Sequence, residues 1–364
     1  MNLEEVARLS GVSRSTVSRV INEDRRVSDV ARQRVMAVIE EYGYEPNAAA
    51  RSLATRRTRI LGLQIPGAVN FIFSDPYFPS LVQGVTDACN EADYGLMLMM
   101  ESRNDPQTAE RMYQRVIRGG HLDGIVLGTA IEGDPFIERV ANDDLPAVII
   151  GRHDEIASVD VENVESSRSA VAHLLAHGYR RIAHIAGPED SRAAWDRYEG
   201  YLQAHLDIGE SADPELVVCG DFTERRGYTA MRTLLHASNH RPDAVFCGSD
   251  TMAAGAIRAI RDSGLRIPED IAVVGFDGLQ RHAVDFPNLS TVVQPIADLG
   301  KTAVQTLLHR IQDRTLPVSR TVLPTQLVLR GSCGCADATT DPLNSTALLH
   351  VNFSAARQAG ANVT

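Results

Sequence analysis

Two hydrophobic periodicities divide the chain. From Leu3 to Tyr42 apolar side chains recur every three or four positions: Leu3, Val6, Ala7 and Leu9, then Val17, Val20 and Ile21, then Val35, Val38, Ile39 and Tyr42. That spacing predicts three short amphipathic helices. Asn2 with Glu5 makes a capping-box pattern, Gly11 supplies a sharp turn, Ser13 caps a helix from Arg14 to about Asn22, and Ser28 and Gly43 bracket the third helix. Val17, Val20 and Ile21 are expected to pack on Val6, Leu9 and Val12, with Ala7 small enough to let the helices cross closely.

From Ile60 short apolar runs alternate with amphipathic stretches, the signature of right-handed βαβ units and parallel sheets. A first series predicts strands over 60–65, 96–100, 124–127 and 147–150, with helices near 77–92 and 106–118. A second predicts strands over 159–161, 182–185, 216–218, 244–247 and 272–274, with helices over 166–177, 192–206, 225–236 and 251–263. Residues 289–293, a helix over 296–311 and a last strand over 320–329 are expected to recross between two lobes. The predicted fold class is α/β: a small all-α helix-turn-helix domain over 1–45, a linker over 46–58, and a two-lobed Rossmann-like core over 59–331. The amino-terminal lobe is expected over 59–157 plus 289–316 and the carboxy-terminal lobe over 158–288 plus 317–331. The tail 332–364 is small and polar without a leucine heptad, so a dimer is favoured over a tetramer, and the tail is expected either to be disordered or to pack as a short extra helix near 347–359.

The outward face of the second helix carries Arg14, Ser15, Thr16, Ser18, Arg19 and Asn22. Arginine forks pair with guanine edges, and hydroxyls and amides suit phosphate oxygens; the plainer reading is a polar helical hairpin with a solvated face. A formal net charge of -11 is acidic for a DNA binder, yet residues 1–57 hold ten arginines against eight acidic residues, so the acidity lies in the remainder. Nonspecific attraction to DNA is then modest, and specificity must rest on local arginines and dimer geometry.

Beyond Gly43, Tyr44-Glu45-Pro46-Asn47 interrupts the helix, and residues 48–54 (AAARSLA) have high helix propensity but too little apolar surface to stay folded alone. The run GVSRSTVSRVIN at 11–22, then VS at 27–28, then YGYEPNAAARSLATRRTRILGL at 42–63, is similar to the DNA-binding end of the LacI/GalR family of transcription regulators. The order of strands and helices resembles that family's periplasmic-binding-protein-like core, so the likeness extends from residue 3 to about Arg330. It implies a homodimer on a palindromic double-stranded operator, with recognition helices in the major groove and hinge helices that fold only on DNA. By that resemblance Arg14, Ser15 and Arg19 fall on base-reading positions, Ser13, Thr16, Ser18 and Asn22 on phosphate-contacting ones, and Ala50, Arg51 and Leu53 on the minor-groove hinge, with Leu53 as the wedge. Two departures stand out. The arm ahead of the first helix is short, and Glu4 stands where an uncharged or basic residue would sit more easily beside a phosphate.

Two lobes make a cleft at strand carboxyl ends, where ligands bind in open α/β sheets. The resemblance places effector contacts at Tyr77 and Phe78 after the first strand, at Arg197, at Phe222 and at Asp277; Asp250 is expected nearby, and Arg152 follows a strand although Gly151 replaces the acid common before it. An arginine, an aspartate and aromatic faces suit a sugar, with forked polar groups for vicinal hydroxyls and a flat wall for C–H bonds. Each residue also has a plainer reading: core aromatics for Tyr77 and Phe222, a surface pair with Asp196 or Glu199 for Arg197, a cap for Asp277. The expected effector is a mono- or oligosaccharide that releases a repressor from the operator of carbohydrate genes. The alternatives are a purine or phosphosugar corepressor, which Arg192 beside Ser191 keeps open, or control by a partner protein.

Walker, Gly-x-Ser-x-Gly, His-Glu-x-x-His and dinucleotide-binding motifs are absent, so no enzymatic activity and no cofactor are expected. His173, His177 and His184 read as surface and boundary residues. Five cysteines without a framework spacing suit a reducing compartment, and Cys333-Gly-Cys335, the close pair, is a poor metal signal without a second pair, so no metal is expected. No run of eighteen apolar residues and no leader pattern occurs, which predicts a cytoplasmic protein without a membrane span.

Overall fold

A computed structural model describes residues 1–21, 24, 26–44, 57–66, 75–101, 106–236, 241–279 and 288–335. The hinge residues Ala50, Arg51 and Leu53, Asn22 of the second helix, and the tail beyond Cys335 lie outside them.

Three helices open the chain: α1 (Leu3–Ser10), α2 (Arg14–Ile21) and α3 (Asp29–Tyr42). The Asn2 side chain accepts from the amides of Glu4 and Glu5 while Glu5 accepts from the Asn2 amide, which closes the capping box. Gly11 at φ 66 carries the chain from α1 towards α2 in a left-handed conformation. Val6, Ala7, Val17, Val20, Val35, Val38 and Tyr44 form a small core of their own. Leu9 and Tyr42, expected inside, are exposed.

The first sheet takes β1 (Ile60–Pro66), β2 (Gly95–Glu101), β3 (Gly124–Leu127), β4 (Ala147–Ile150), β5 (Ala157–Val161) and β11 (Arg320–Leu323) in the order β11-β5-β4-β3-β1-β2. The second takes β6 (Ile182–Ala186), β7 (Val217–Cys219), β8 (Ala244–Cys247), β9 (Ala272–Asp277), β10 (Ser290–Val293) and β12 (Gln326–Val328) in the order β12-β10-β9-β8-β6-β7. All pairings are parallel except β10 with β12.

Helices α4 (Tyr77–Glu91), α5 (Pro106–Met112) with a π-helical turn at Tyr113–Ile117, and α6 (Pro135–Ala141) serve the first lobe. Helices α7 (Asn163–Ala176), α8 (Arg192–Asp207), α9 (Glu224–His236) and α10 (Asp250–Asp262) serve the second, and α11 (Ile296–Gln312) returns to the first, packing Leu299, Val304 and Leu307 against Leu63, Leu81 and Val148. Each such fully buried leucine stabilises the fold by about 1.5–3 kcal/mol relative to exposure. Among the described residues no helix is long and apolar enough to cross a membrane.

The lobe boundaries differ from expectation. Ala157–Val161 belongs to the first sheet, so the first crossing falls at residue 162 rather than 157. Ser290–Val293 pairs with β9 in the second sheet, so the second crossing falls at 294–295. The run expected as one last strand is broken at Pro324-Thr325 into β11 and β12, one in each sheet. Proline lacks the amide that a continuous ladder needs, and at this break the chain crosses a third time.

Candidate functional site

On the helical head, the outward face of α2 carries Ser13, Arg14, Ser15 and Arg19 exposed and Thr16 and Ser18 half-buried. Ser13 is the cap of α2: its Oγ accepts from the Thr16 amide at 3.1 Å and lies 2.8 Å from both the Ser15 Oγ and the Thr16 Oγ1. Glu4 reaches the Arg14 guanidinium at 3.3 Å, so an acidic side chain holds an arginine expected to read bases.

The chain enters the core through a clamp that the sequence did not single out. Asp123, buried ahead of β3, accepts from the Thr58 amide (2.6 Å), the Thr58 hydroxyl (2.9 Å) and the Arg59 amide (3.1 Å). Thr58 and Arg59, where the linker meets the core, are thereby fixed to the first lobe by three bonds to one carboxylate, each strengthened by its charge.

Between the lobes lies a buried polar cluster centred on Arg197 and Asp277. Arg197 Nη1 is 3.3 Å from Asp277 Oδ1, its Nε donates to Asn163 Oδ1 at 3.0 Å and its Nη1 to the Gly248 carbonyl at 2.5 Å, while the guanidinium lies 3.8 Å above the Phe276 ring centroid. Gln294 Nε2 donates to Asp277 Oδ1 at 2.6 Å. Burial raises the Asp277 carboxyl well above the usual range against the pull of Arg197. Asp75 is pushed up to about 6 by burial, and its carboxylate accepts from the Tyr77 amide and from the Thr251 side chain of the facing lobe. The half-buried Tyr77 has its phenol raised chiefly by burial and further by the charges of Asp277, Asp160 and Asp75, against the pull of Arg197.

Two of these positions are strained. Phe222 at φ 63 and Asp277 at φ 110 are non-glycine residues in left-handed backbone, each at the carboxyl end of a second-lobe strand. Bulky or charged side chains are held there only where the surroundings over-determine them, which favours functional sites. Asp221 Oδ1 fixes the Phe222 turn by accepting from the Thr223 amide (2.9 Å) and hydroxyl (2.5 Å), and the Phe222 ring is so close over Gly187 that an added Cβ there would fall 2.3 Å from it.

The lobes also touch directly. Ile131 and Ser191 form an antiparallel bridge, flanked by Glu132 N to Asp190 O (2.8 Å) and Arg192 N to Ala130 O (3.2 Å). Arg192 pairs with Glu132 at 3.1 Å and Arg152 with the buried Asp196 at 2.9 Å, each pair spanning the two lobes. Burial raises the Asp196 carboxyl even with Arg152 beside it.

Of the effector residues expected from sequence, Tyr77, Arg197 and Asp277 converge. Arg152 reaches the cleft through Asp196, the residue expected as an Arg197 partner. Phe78 departs from expectation: it is buried in the first-lobe core, edge-on to Tyr77 at 5.3 Å. Asp250 departs too, because its carboxylate is consumed by the Leu279 amide (2.9 Å) and Thr291 hydroxyl (2.6 Å), which makes it a brace between the end of β9 and β10, with its carboxyl raised by burial to about 7. His184 is fully buried rather than at the surface, its Nδ1 3.0 Å from the Phe246 carbonyl and its ring stacked among Tyr198, Tyr201 and Phe246; burial lowers it to about 4, so it stays neutral. Asp75, Asp123, Asn163 and Gln294 escaped notice because each sits at an element end where polar residues are common.

Residues 2–47 match the model for bacterial regulatory proteins of the lacI family, and residues 171–333 match the periplasmic binding protein-like domain. The chain is 39% identical over 337 residues to the HTH-type transcriptional regulator CelR of Thermobifida fusca, covering 91% of this chain and 97% of that protein. It is 36% identical over 337 residues to the ribose operon repressor of Escherichia coli K12, covering 91% and 99%. Among solved structures, a CelR–cellobiose complex superposes with a TM-score of 0.71 at 37% identity (91% and 99% covered), and a lac repressor dimer bound to operator and the anti-inducer ONPF with 0.78 at 27% identity (92% and 99% covered). The chain belongs to the lacI family of bacterial regulatory proteins, as a DNA-binding transcriptional regulator with a helix-turn-helix head ahead of a periplasmic-binding-protein-like core.

Proposed function

We propose that the protein is a homodimeric repressor of carbohydrate uptake or catabolism genes, released from a palindromic operator by a sugar that enters the cleft between its lobes. The observation that carries this reading is the buried Arg197–Asp277 pair. In the absence of a ligand these groups satisfy one another at a cost in desolvation; vicinal hydroxyls offer the donors and acceptors that such a pair takes up. The similarity to a regulator solved with cellobiose and to ribose operon repressors supports a sugar.

Arg14, Ser15 and Arg19 read base edges, Ser13, Thr16, Ser18 and Asn22 hold phosphates, and the hinge around Ala50, Arg51 and Leu53 enters the minor groove. Tyr77, Arg152, Arg197, Phe222 and Asp277 are assigned to the effector. Opening or closing of the cleft moves the first lobe, and with it Thr58 and Arg59, altering the spacing of the two hinges. Coupling of about 1–3 kcal/mol suffices for such a switch.

The test is operator affinity of the full chain on a selected palindromic DNA, with and without a panel of sugars, phosphosugars and purines. Release by a sugar, lost in Asp277→Asn while operator affinity is kept, supports the reading. Tighter binding with a purine or phosphosugar replaces it with corepression, and no response to any compound replaces it with control by a partner protein.

A further inference from the structure

The carboxy-terminal end of the second lobe carries a cluster that takes no part in the cleft. After β12 the chain is pinned against the sheet: Ser332 Oγ donates to the Val273 carbonyl (2.6 Å) and accepts from the Ser290 amide (2.8 Å), and the Ser332 amide donates to the Asn288 carbonyl (2.9 Å). This fixes Cys333 in a buried position facing α7. Gly334 at φ 89 then turns the chain back, so that Cys335 Sγ lies 3.4 Å from Cys333 Sγ.

Helix α7 meets the two sulfurs with two imidazoles. His173 and His177 stand one helical turn apart with ring centroids 4.4 Å apart. His173 Nε2 is 3.3 Å from Cys333 Sγ and 3.5 Å from Cys335 Sγ, and His177 Nε2 is 3.6 Å from Cys335 Sγ. The donor atoms of His173, Cys333 and Cys335 all lie within 4.8 Å of one another. In a tetrahedral zinc site, with bonds of about 2.3 Å to sulfur and about 2.0–2.1 Å to nitrogen, neighbouring donor atoms stand about 3.3–3.8 Å apart. The Cys333–Cys335, His173–Cys333, His173–Cys335 and His177–Cys335 separations fall in that range.

We propose that His173, His177, Cys333 and Cys335 bind one zinc ion in a closed site that staples the end of the second lobe to α7. Two thiolates and two imidazoles are the donor set that tetrahedral zinc prefers, and four protein ligands leave no open position for catalysis. The missing second pair of a C-x-C motif is here a His-x-x-x-His spanning one helical turn, about 160 residues upstream and brought to it by the fold. Zinc bound there adds its binding free energy to the stability of the second lobe.

The experiment uses the full chain without a histidine tag, purified with reductant and without chelator. Metal analysis is expected to find about one zinc per chain, and cobalt(II) added after stripping is expected to give the intense visible and sulfur-to-metal bands of a tetrahedral thiolate site. Cys335→Ser and His177→Ala lose or weaken both signals; His177 is exposed, so its replacement spares the core. Cys219→Ser, on a half-exposed cysteine far along the chain, keeps them. Thermal stability should fall on chelation and return with zinc in the wild type alone. A reduced chain that holds less than about a tenth of an equivalent and gives colourless cobalt mixtures would overturn the site and leave thiol–imidazole hydrogen bonds in its place. A Cys333–Cys335 disulfide that forms in the purified protein, with no metal uptake after reduction, would overturn it equally.

Discussion

Arg152 Nη2 lies 2.9 Å from Asp196 Oδ1, an ion pair whose arginine follows β4 of the first lobe and whose aspartate sits on α8 of the second. The aspartate side chain is almost fully enclosed, whereas the arginine is about a third exposed. The pair therefore ties the lobes together next to the Ile131–Ser191 bridge, since Gly151 abuts Ala130 and Ser191 caps the helix that carries Asp196.

Breaking the two latches should have unequal effects. Arg192→Ala removes a pair whose glutamate is largely exposed, and such pairs contribute at most about 1 kcal/mol, so sugar affinity should fall less than about fivefold. Arg152→Ala leaves a buried carboxylate without its cation, and the closed form should weaken by more than tenfold in affinity. Calorimetric titration with the effective sugar of the panel measures both; equal losses would show that the Arg152 pair is not desolvated.

Asp75 predicts a pH dependence of stability. Its carboxyl is raised by burial to about 6 from an ordinary 3.8, so the folded chain holds a proton that the unfolded chain releases first. The associated stability is complete below the ordinary value and is lost as pH rises through about 6, amounting to about 3 kcal/mol at most. Asp75→Asn should flatten this fall between pH 4 and about 7 when unfolding is followed with denaturant at each pH. An unchanged slope would place the titration elsewhere.

The Asp123 clamp predicts an uncoupled variant. Asp123→Ala frees the Thr58 and Arg59 amides and should leave sugar affinity within about twofold, because the cleft is untouched. The change in operator affinity caused by the sugar should shrink by about 1–2 kcal/mol of coupling. Operator binding measured with and without the sugar separates this from a loss of either affinity alone.

Glu4→Gln should strengthen DNA binding. The substitution removes an acidic group from the helical head and releases Arg14, which pairs with Glu4 at 3.3 Å. A gain of about two- to fivefold is expected, with a steeper dependence on salt as one fewer anion opposes the phosphates. A fall in affinity would mean that Glu4 positions Arg14 for base reading.

Strand positions were legible to the residue at 124–127, 147–150 and 244–247, each an apolar run followed by a glycine, whereas the run 272–274 is also followed by one and its strand continues to Asp277. Sheet membership was not, because Ala157–Val161 and Ser290–Val293 look the same whichever lobe they join; only pairing decides. The helix Pro135–Ala141 was overlooked although Asp134 caps it and Pro135 opens it, since seven residues are too few for periodicity to register. Arg197 and Asp277 were legible through family likeness rather than through spacing. Their supports, Asn163 and Gln294, were not, since each stands where the chain crosses between the lobes and is recognisable only once both sheets are seen.

The triple crossing sets the order in which the protein becomes functional during its own synthesis. The helical head has its core once Tyr44 has been made, whereas both sheets wait for edge strands ending at Leu323 and Val328. At about 5–20 residues per second, the 284 residues between Tyr44 and Val328 take roughly 15–60 s to add. For that interval the nascent chain carries a DNA-reading head without the lobes that govern it, and a product truncated before β11 would stay in that condition.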